Sequence, residues 1–380
     1  MSRSPSDHAI APAEGRLGGL RSRVALVHDY LTQRGGAERV VLSLTRAFPD
    51  APLFASLYEP ATTFPEFAEV DVRPGFLNRF PPLRSDHRRA LPFLAPAFSR
   101  LRVDADVAVV SSSGWAHGVR VTGRKIVYCH TPARWLYQPA RYLRGRAAGV
   151  RAAGRMLRAP LVRWDKAAAA TADRYVANSS VVAKRIGELY GVEAEILPPP
   201  PAVTPKGPSA QVQGVEAGYA LCVSRLLPYK NVDAVVEAFA HLDGARLVVA
   251  GAGPSEGALR AAAPPNVTFV GRISDEQLRS LYSRCELLIA ASHEDFGLTP
   301  LEAASFGKPS VVLRWGGFLD TVREGETGVF FETPTAEAVA GALSEAHNLN
   351  WDAAAIRAHA ETFSEARFID RIREIVNESA

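Results

Sequence analysis

The chain has 380 residues, of which 47% are hydrophobic and 22% are charged, which indicates a soluble globular protein of two domains. It contains no run of about 18 apolar residues, so we expect no transmembrane helix, and three dispersed cysteines in apolar segments (Cys129, Cys222 and Cys285) indicate buried thiols of a cytoplasmic protein, not a disulfide framework or a zinc site. The net charge of +4 is uneven, because residues 1–200 carry 29 Lys and Arg against 17 Asp and Glu, whereas residues 201–380 carry 15 against 23. We therefore expect the basic half to meet an anionic partner.

The first predicted domain spans residues 21–200 and follows a polar stretch. Residues 1–20 lack the apolar segment of a signal peptide and are expected to form a disordered tail. A glycine pair, Gly35 and Gly36, separates the first strand pattern from the first helical pattern, as in one βα unit of a nucleotide-binding-like fold. Strand patterns that alternate with helical patterns predict a mainly parallel sheet. The predicted strands are residues 23–30, 53–57, 107–111, 125–129 and 175–178.

The second predicted domain spans residues 219–355 and repeats this alternation. A run of four prolines and a polar stretch precede it and indicate a linker at residues 201–218. Apolar residues at helical spacing in 363–377 predict a last helix, and we expect residues 356–380 to cross back to the first domain. The fold class is therefore α/β, with two doubly wound Rossmann-like domains. The predicted strands are residues 219–223, 246–250, 267–270, 287–291, 310–313 and 328–331.

Two carboxylates, Glu294 and Glu302, bracket a glycine-containing turn that follows a predicted strand and opens a helix near Pro300. The N–H groups of residues 297–299 would lie at the N-terminus of that helix, where an anion such as phosphate is stabilised. Glu302 is placed to accept hydrogen bonds from a ribose, and Glu294 from hydroxyls beyond the phosphate. Alternatively, Glu294 is a surface loop residue and Glu302 a solvated helix residue. The residues whose N–H groups are predicted to donate hydrogen bonds to phosphate are Gly297, Leu298 and Thr299.

Two cations follow the first strand of the second domain, at the sheet edge where open α/β sheets bind ligands. Arg225 offers a planar fork and Lys230 a compact charge for one diphosphate, although such a pair in a loop is often only solvated. His130 follows a strand of the first domain and is expected to face the same cleft, unless it is structural.

A glycine-rich loop at residues 251–257 enters a helical pattern after a strand and suggests a dinucleotide site. Its spacing is GxGxxxG and Pro254 lies in the turn, so we interpret it as a turn that allows the helix to pack closely. An NAD-dependent oxidoreductase is accordingly a weak alternative.

In combination, these motifs resemble those of a retaining glycosyltransferase of the large GT-B family 4. The motifs are the Glu-x7-Glu bracket, the Ser-Arg-x3-Tyr-Lys-Asn loop at 224–231, His-Thr-Pro at 130–132 and Gly-Gly-Ala-Glu at 35–38. The resemblance covers about residues 22–375. The amino-acid sequences of residues 293–300 and 314–322 are most similar to those of bacterial mannosyltransferases of polysaccharide assembly. It implies a GT-B fold in which the two domains face a central cleft.

The resemblance also implies roles for individual residues. Arg225 and Lys230 would hold the diphosphate of a sugar nucleotide, Glu294 the hydroxyls of the donor sugar and Glu302 the ribose. His130 would position the sugar. Glycines would allow close approach at the phosphates (Gly35, Gly36) and beside the donor (Gly316, Gly317), and the base pocket would include Gly271 and Arg272.

The implied reaction transfers a hexose, with mannose from GDP-mannose favoured, and forms an oxocarbenium-like centre as the nucleoside diphosphate leaves. The resemblance implies that fixed cations stabilise the leaving group, so no metal and no cofactor are expected. The alternatives are another GT-B sugar-nucleotide enzyme, either a UDP-sugar transferase or an epimerase, and a non-catalytic GT-B scaffold.

Arginine-rich stretches lie in the domain that the resemblance assigns to the acceptor. Residues 133–174 contain ten Lys and Arg against two Asp, with aromatic residues between them, and residues 73–102 contain seven against one Asp. We interpret the first stretch as a helix on an anionic membrane surface that presents the cleft to a polyprenyl-diphosphate-linked or oligosaccharide acceptor. A solvated arginine-rich helix is the alternative, and the sequence shows no nucleic-acid module. The expected location is the cytoplasm, at the inner face of the plasma membrane. The residues of this interpretation are Arg134, Trp135, Tyr137, Tyr142, Arg144, Arg146, Arg151, Arg155, Arg158 and Arg163.

Overall fold

The structure, a computed structural model, describes residues 23–138 and 148–378. The expected disordered tail at residues 1–20 lies outside this part of the chain. So do several residues, or their side chains, of the arginine-rich stretch at 133–174: Trp135, Tyr142, Arg144, Arg146, Arg151 and Arg155.

The first domain is built on a seven-stranded parallel sheet. Its strands and two short flanking strands are β1 Val24–His28, β2 Leu53–Ala55, β3 Val72–Pro74, β4 Arg102–Val103, β5 Val107–Ser112, β6 Arg120–Val121, β7 Arg124–Cys129, β8 Arg174–Ala177 and β9 Ala194–Ile196. The order in the sheet is β3-β2-β1-β5-β7-β8-β9, and β4 pairs separately with β6. The strand order therefore reverses between β1 and β5.

Helices cover both faces of this sheet. They are α1 Gly36–Ala47, α2 Pro81–Ser85, α3 Leu91–Arg100, α4 Arg134–Tyr137, α5 Ala148–Ala169 and α6 Ser180–Tyr190. Side chains of a strand point alternately to its two faces, so in β5 Val107 and Val109 pack in the layer of α1, whereas Ala108 and Val110 pack in the layer of α3 and α6. Both faces are buried, which explains why the strands are continuously apolar.

The second domain is a six-stranded parallel sheet with helices on both faces. Its strands are β10 Ala220–Val223, β11 Leu247–Ala250, β12 Val267–Gly271, β13 Leu287–Ala290, β14 Ser310–Leu313 and β15 Gly328–Phe331, in the order β12-β11-β10-β13-β14-β15. Its helices are α7 Val232–Ala238, α8 Glu256–Ala262, α9 Asp275–Arg284, α10 Thr299–Ser305, α11 Phe318–Thr321, α12 Ala336–Asn348 and α13 Ala353–Glu361. The order reverses between β10 and β13.

The last helix, α14 Glu365–Glu378, returns to the first domain. Its buried residues Phe368, Ile372 and Ile375 join the core layer of α1, and the Phe368 ring meets Tyr128 edge-on at 5.7 Å between centroids. The preceding helix α13 still packs on the second domain, where Ile356 contacts the layer of α10. The chain therefore crosses to the first domain between α13 and α14. Residues 356–361, which we expected to belong to the crossing segment, still pack on the second domain.

The predicted α/β class with two doubly wound parallel sheets is confirmed. All three cysteines are buried and free, as the sequence indicated. The sequence interpretation missed four strands, β3, β4, β6 and β9, because each has only two or three residues and is largely accessible on its outer side. In the described part of the chain, no helix is long and apolar enough to cross a membrane.

Candidate active site

The two positions at which strand order reverses are where doubly wound sheets form a ligand crevice. In the second domain, the loop after β10 carries Arg225 and Lys230, and the loop after β13 carries Glu294. The sequence therefore places these three predicted residues at one reversal point. In the first domain, the ends of β1, β5 and β7 bring His28, Ser111 and His130 together.

Lys230 and Glu294 form an ion pair between the loops after β10 and β13. Only 8% of Lys230 is exposed, and Ser292 Oγ donates a second hydrogen bond to the same carboxylate oxygen at 3.0 Å. Burial alone would raise the pKa of Glu294, but the Lys230 ammonium, helped by the charge of Arg134 and the Ser292 hydrogen bond, holds that pKa below its usual value. The pair is thus a shielded cation beside an ionised carboxylate.

Asn231 fixes the geometry of this pair. It adopts a left-handed backbone conformation (φ 50°), and its Nδ2 donates to the carbonyl of Ala291 at 2.8 Å. This bond ties the loop after β10 to the end of β13. Asparagine tolerates this conformation better than most residues, which explains its place directly after Lys230.

Arg225 lies at the other side of the same loop. Its side chain is exposed, and Nη2 donates to the Tyr229 hydroxyl at 3.2 Å. Its positive charge also acts on Glu38 of the first domain. Arg225 therefore faces the cleft between the domains.

Glu302 is buried, contrary to the alternative that it is a solvated helix residue. The Tyr282 hydroxyl donates to Oε2 at 2.7 Å, and the backbone N–H of Val203 also interacts with the carboxylate. Burial raises the pKa of Glu302 above its usual value, and these hydrogen bonds oppose it. A ribose at this carboxylate would compete with Tyr282.

The N-termini of α1 and α10 lie close together across the cleft. A Cβ placed on Gly36 would be 3.5 Å from a methyl group of Leu298. The loop of Gly35 and Gly36 therefore lies close to residues 297–299, whose N–H groups are predicted to bind phosphate. Gly297 has φ +84°, and a Cβ there would lie 2.4 Å from the Phe318 ring. Thr299 is the first residue of α10. Both helix ends offer backbone N–H groups that have no partner within their own helix.

The predicted glycines after β14 pack against the loop that carries Glu294. A Cβ on Gly316 would be 2.2 Å from the Glu294 carbonyl oxygen, and one on Gly317 would be 2.2 Å from Phe296 Cα. The Gly317 N–H donates to the Glu294 carbonyl at 3.1 Å. These glycines are therefore needed for close packing behind Glu294.

The predicted base-pocket residues and the glycine-rich loop at 251–257 lie beside the first strands of the second sheet. Gly271 ends β12 with φ +67°, a Cβ added there would meet no heavy atom within 4 Å, and Arg272 is exposed. The glycine-rich loop at 251–257 packs on the loop after β10, since Cβ atoms on Gly251 and Gly253 would lie 1.9 and 2.3 Å from the carbonyl oxygens of Ser224 and Leu226. This geometry is that of a close-packing turn.

His130 belongs to a buried hydrogen-bonded chain in the first domain. Its Nε2 lies 2.8 Å from Ser111 Oγ, and the same hydroxyl lies 3.0 Å from His28 Nδ1. Burial lowers the pKa of His130 to about 3, with His28 contributing, so the ring is neutral near pH 7. His130 can therefore act through hydrogen bonding but not as a cation.

The sequence interpretation missed Glu38, which follows the glycine pair. Gln33 Nε2 donates to its Oε1 at 3.0 Å, whereas its buried Oε2 has no hydrogen-bond partner in another described residue. Burial raises the pKa of Glu38 to about 7, and the charge of Arg225 opposes this shift. The Gly-Gly-Ala-Glu motif contained the residue, but nothing in the sequence showed that it is buried at the cleft.

Asp295 was also missed. Its carboxylate pairs with Arg185 at 3.1 Å and with Arg134 at 3.4 Å, and both arginines belong to the first domain. The Ser179 hydroxyl donates to its carbonyl at 2.5 Å. Asp295 is therefore a point at which the first domain is bonded to the loop that carries Glu294.

Within the described residues, no group of three His, Cys, Asp or Glu side chains is arranged to hold a metal ion. The expectation that the reaction needs no metal stays a prediction.

Two family models match consecutive parts of the chain. Residues 34–200 match the model described as Glycosyltransferase Family 4, and residues 210–363 match the model described as Glycosyl transferases group 1. The first match spans the domain of Glu38 and His130, and the second spans the domain of Lys230 and Glu294.

The chain is similar to curated relatives over part of its length. It is 31% identical to D-inositol 3-phosphate glycosyltransferase of Acidothermus cellulolyticus over 48% of this chain and 51% of that protein. It is 30% identical to the GDP-mannose-dependent alpha-(1-6)-phosphatidylinositol monomannoside mannosyltransferase of Mycobacterium tuberculosis over 33% of this chain and 37% of that protein. The chain spans about half the length of the first curated relatives it matches.

A solved structure agrees in fold. The Anabaena protein Alr3699/HepE in complex with UDP and glucose superposes with a TM-score of 0.67 at 17% identity, over 94% of this chain and 100% of that one. Its fold and the two consecutive family matches agree with the paired Rossmann-like domains described above. The chain therefore consists of a Glycosyltransferase Family 4 domain at residues 34–200 and a Glycosyl transferases group 1 domain at residues 210–363, arranged in a GT-B fold.

Proposed function

We propose that this protein is a retaining glycosyltransferase that moves a hexose from a nucleoside-diphosphate sugar to a lipid-linked or oligosaccharide acceptor in cell-surface polysaccharide biosynthesis. The observation that carries the proposal is the shielded Lys230–Glu294 pair at the reversal point of the second sheet. It sets a phosphate-binding cation directly beside a carboxylate that can accept hydrogen bonds from sugar hydroxyls.

The cations act on the leaving group. The donor diphosphate would displace Glu294 from Lys230 and receive a second contact from Arg225, which already faces the cleft. Backbone N–H groups at Gly297–Thr299 add hydrogen bonds to the same phosphates. These groups stabilise the charge that develops as the glycosidic bond breaks. No metal or cofactor is required for this step.

The carboxylates orient the donor. Once released from Lys230, ionised Glu294 accepts hydrogen bonds from hydroxyls of the sugar, and Glu302 binds the ribose in exchange for the Tyr282 hydroxyl. Neutral His130 positions the sugar from the first domain by hydrogen bonding. In a retaining front-face reaction, the acceptor oxygen bonds to the anomeric carbon on the side that the diphosphate leaves, and a phosphate oxygen takes the acceptor proton.

We favour GDP-mannose as the donor. Support comes from the mycobacterial relative, whose name gives GDP-mannose dependence. A UDP-sugar is the second candidate, because the Anabaena protein of the same fold was solved with UDP and glucose. A GT-B epimerase differs from both transferases because it forms product without an acceptor. A non-catalytic scaffold would not require the shielded Lys230–Glu294 pair.

The acceptor is proposed to reach the cleft from a membrane surface on the cytoplasmic side. The middle of helix α5 supports this, because Met156 is 81% exposed and Leu157 is 46% exposed beside Arg158. The C-terminal part of α5 is anchored, since Asp165 accepts hydrogen bonds from the hydroxyls of Tyr137 and Tyr190 at 2.6 and 2.9 Å. An anchored helix that exposes apolar and basic side chains fits an anionic interface.

The test is thermal stabilisation of the purified protein by GDP, UDP, ADP and NAD, because a ligand that binds only the folded state raises its apparent stability. We expect a selective increase in Tm with GDP. Selective stabilisation by UDP would still support a glycosyltransferase but would contradict GDP-mannose as its donor. A response to NAD alone would contradict the proposed donor site.

A further inference from the structure

A second surface of the first domain exposes phenylalanine side chains between the end of β3 and helix α3. Phe76, Phe80 and Phe93 are 49%, 53% and 50% exposed. Singly exposed apolar residues are ordinary on protein surfaces, but three large aromatic rings within 18 residues of chain are not. We call residues 73–102 the aromatic–arginine surface.

The charges of this surface are almost all positive. Residues 73–102 include seven arginines and a single acidic residue, Asp86. Arg73, Arg84 and Arg89 pair with carboxylates of Asp71, Glu59 and Asp86, respectively. Four further arginines have no ion pair with any residue in the described part of the chain: Arg79, Arg88, Arg100 and Arg102. These four are exposed and available to anions.

The exposed rings are carried by a well-anchored segment. Leu77 and Leu94, which directly follow Phe76 and Phe93, are buried in the core layer of α3. The Tyr58 N–H donates to Asn78 Oδ1 at 2.8 Å, and the His87 ring stacks on Tyr30 at 4.3 Å between centroids. The three phenylalanines are therefore held outward while their neighbours are fixed inward.

A cavity of about 170 Å³ opens beside Phe76. Its wall is mainly apolar, formed by Leu77, Ala97 and Phe98, and Arg100 and Arg102 also line it. This combination suits part of an aliphatic chain whose phosphate lies against the arginines.

The aromatic–arginine surface adjoins helix α5. Trp164 Nε1 of α5 donates to Ser99 Oγ of α3 at 2.8 Å. Leu91 of α3 and Leu161 of α5 pack against the same core layer. Both elements therefore lie on one side of the first sheet. The aromatic–arginine surface is apolar and basic, as is the middle of α5 with its exposed Met156, Leu157 and Arg158.

We propose that the aromatic–arginine surface docks on an anionic phospholipid bilayer. Phe76, Phe80 and Phe93 enter the headgroup region, where burial of apolar rings is favourable, and the four unpaired arginines contact lipid phosphates. The purpose of this docking rests on the proposed lipid-linked acceptor, but the binding itself does not require transfer. We favour a bilayer over a protein partner, because the four arginines without an ion pair to any described residue match a surface of repeated negative charge.

The first experiment is co-sedimentation of the full chain with phosphatidylcholine vesicles that contain or lack phosphatidylglycerol. The protein is expected to bind only the anionic vesicles. The triple variant Phe76→Ser/Phe80→Ser/Phe93→Ser is expected to lose about tenfold or more in vesicle affinity, since each half-buried ring loses apolar contact with the interface. The matched control is Leu349→Ser, which removes an exposed apolar side chain from the second domain and should bind as the parent protein does.

Three outcomes would overturn the proposal: no binding of the parent protein to anionic vesicles, unchanged binding of the triple variant, or equal loss in the Leu349→Ser control. Thermal stabilisation by GDP is measured on every variant. Retained stabilisation in the triple variant shows that it is folded with an intact nucleotide site, so failure of docking and failure of the proposed donor site are distinguishable.

A second measurement locates the contact. All three native cysteines are buried, so a Phe80→Cys variant can be labelled selectively with a polarity-sensitive fluorophore. Anionic vesicles are expected to shift its emission to the blue, whereas the same label in Leu349→Cys should not respond. A shift at position 349 without one at position 80 would place the bilayer against the wrong domain.

Discussion

At the residue scale, the site consists of charges that are only partly compensated. Lys230 and Glu294 neutralise each other, whereas Glu38 is buried with one oxygen that has no partner in another described residue. A buried carboxyl group without a full set of partners is costly when ionised. Such a group is usual at functional sites, where a ligand can complete its hydrogen bonds.

Glu38 therefore predicts a pH dependence of stability. Its pKa is about 7 in the folded protein against 4.5 as the ordinary value, so the folded state binds more protons than the unfolded state between these pH values. Stability then falls as the pH rises from 4.5 to 7, by about 3 kcal/mol for this group. The variant Glu38→Gln should lack this component, measured as the difference between the two proteins in urea unfolding at pH 4.5 and pH 7.5. Parallel stability curves for the two proteins would show that Glu38 is not destabilised by burial.

At the element scale, the turns after the strands determine where the charges lie. Asn231 bonds the loop after β10 to the end of β13, and Gly316 and Gly317 let the loop after β14 lie against the backbone of residues 294–296. None of these contacts involves the side chain of a proposed catalytic residue. They nevertheless fix the distance between Lys230 and Glu294.

The substitution Gly317→Ala tests this packing. The added Cβ would lie 2.2 Å from Phe296 Cα, so the loop must shift, and we expect a loss of about 2 kcal/mol or more in the free energy of unfolding. The control is Gly341→Ala in α12, where a Cβ meets no atom within 4 Å and better helix propensity should stabilise by about 0.5–1 kcal/mol. Chemical denaturation measures both. Equal stability of the two variants would contradict the close packing behind Glu294.

The extent to which sequence predicts this molecule follows from the range of the interactions. Long apolar strands such as β5 and motif residues such as Lys230 and Glu294 were recognisable, because strand patterns and loop positions are local properties. The short strand β9 was not, since three partly accessible residues give no apolar pattern. The roles of Glu38 and Asp295 at the domain boundary depend on arginines more than 100 residues away in the chain, Arg225 for Glu38 and Arg185 for Asp295, and no local pattern reveals such contacts.

At the scale of the whole molecule, the two domains meet through specific ion pairs around the cleft. Arg39 of α1 donates to both carboxylate oxygens of Asp275 at 2.6 and 2.7 Å, and Asp295 binds Arg185. The Ser180 N–H at the start of α6 donates to Asp320 at 2.8 Å. Helix α14 adds an apolar contact from the C-terminal end of the chain. The domains are thus joined on several sides of the Lys230–Glu294 pair, and a donor bound at this pair, as we propose, would lie between the two domains.

The most direct test of the central claim is transfer by Lys230→Ala, assayed with GDP-mannose and UDP-glucose and a lipid-diphosphate-linked sugar acceptor, with the anomeric configuration of the product determined by NMR. The account predicts an axial-to-axial, retained product from the parent protein and a loss of at least about 100-fold in the variant, because one fixed cation at the leaving group contributes roughly 3 kcal/mol to the barrier. The control Lys308→Ala removes a lysine outside the proposed site and should be as active as the parent protein. Unchanged transfer by a folded Lys230→Ala variant would contradict the assignment of the donor site.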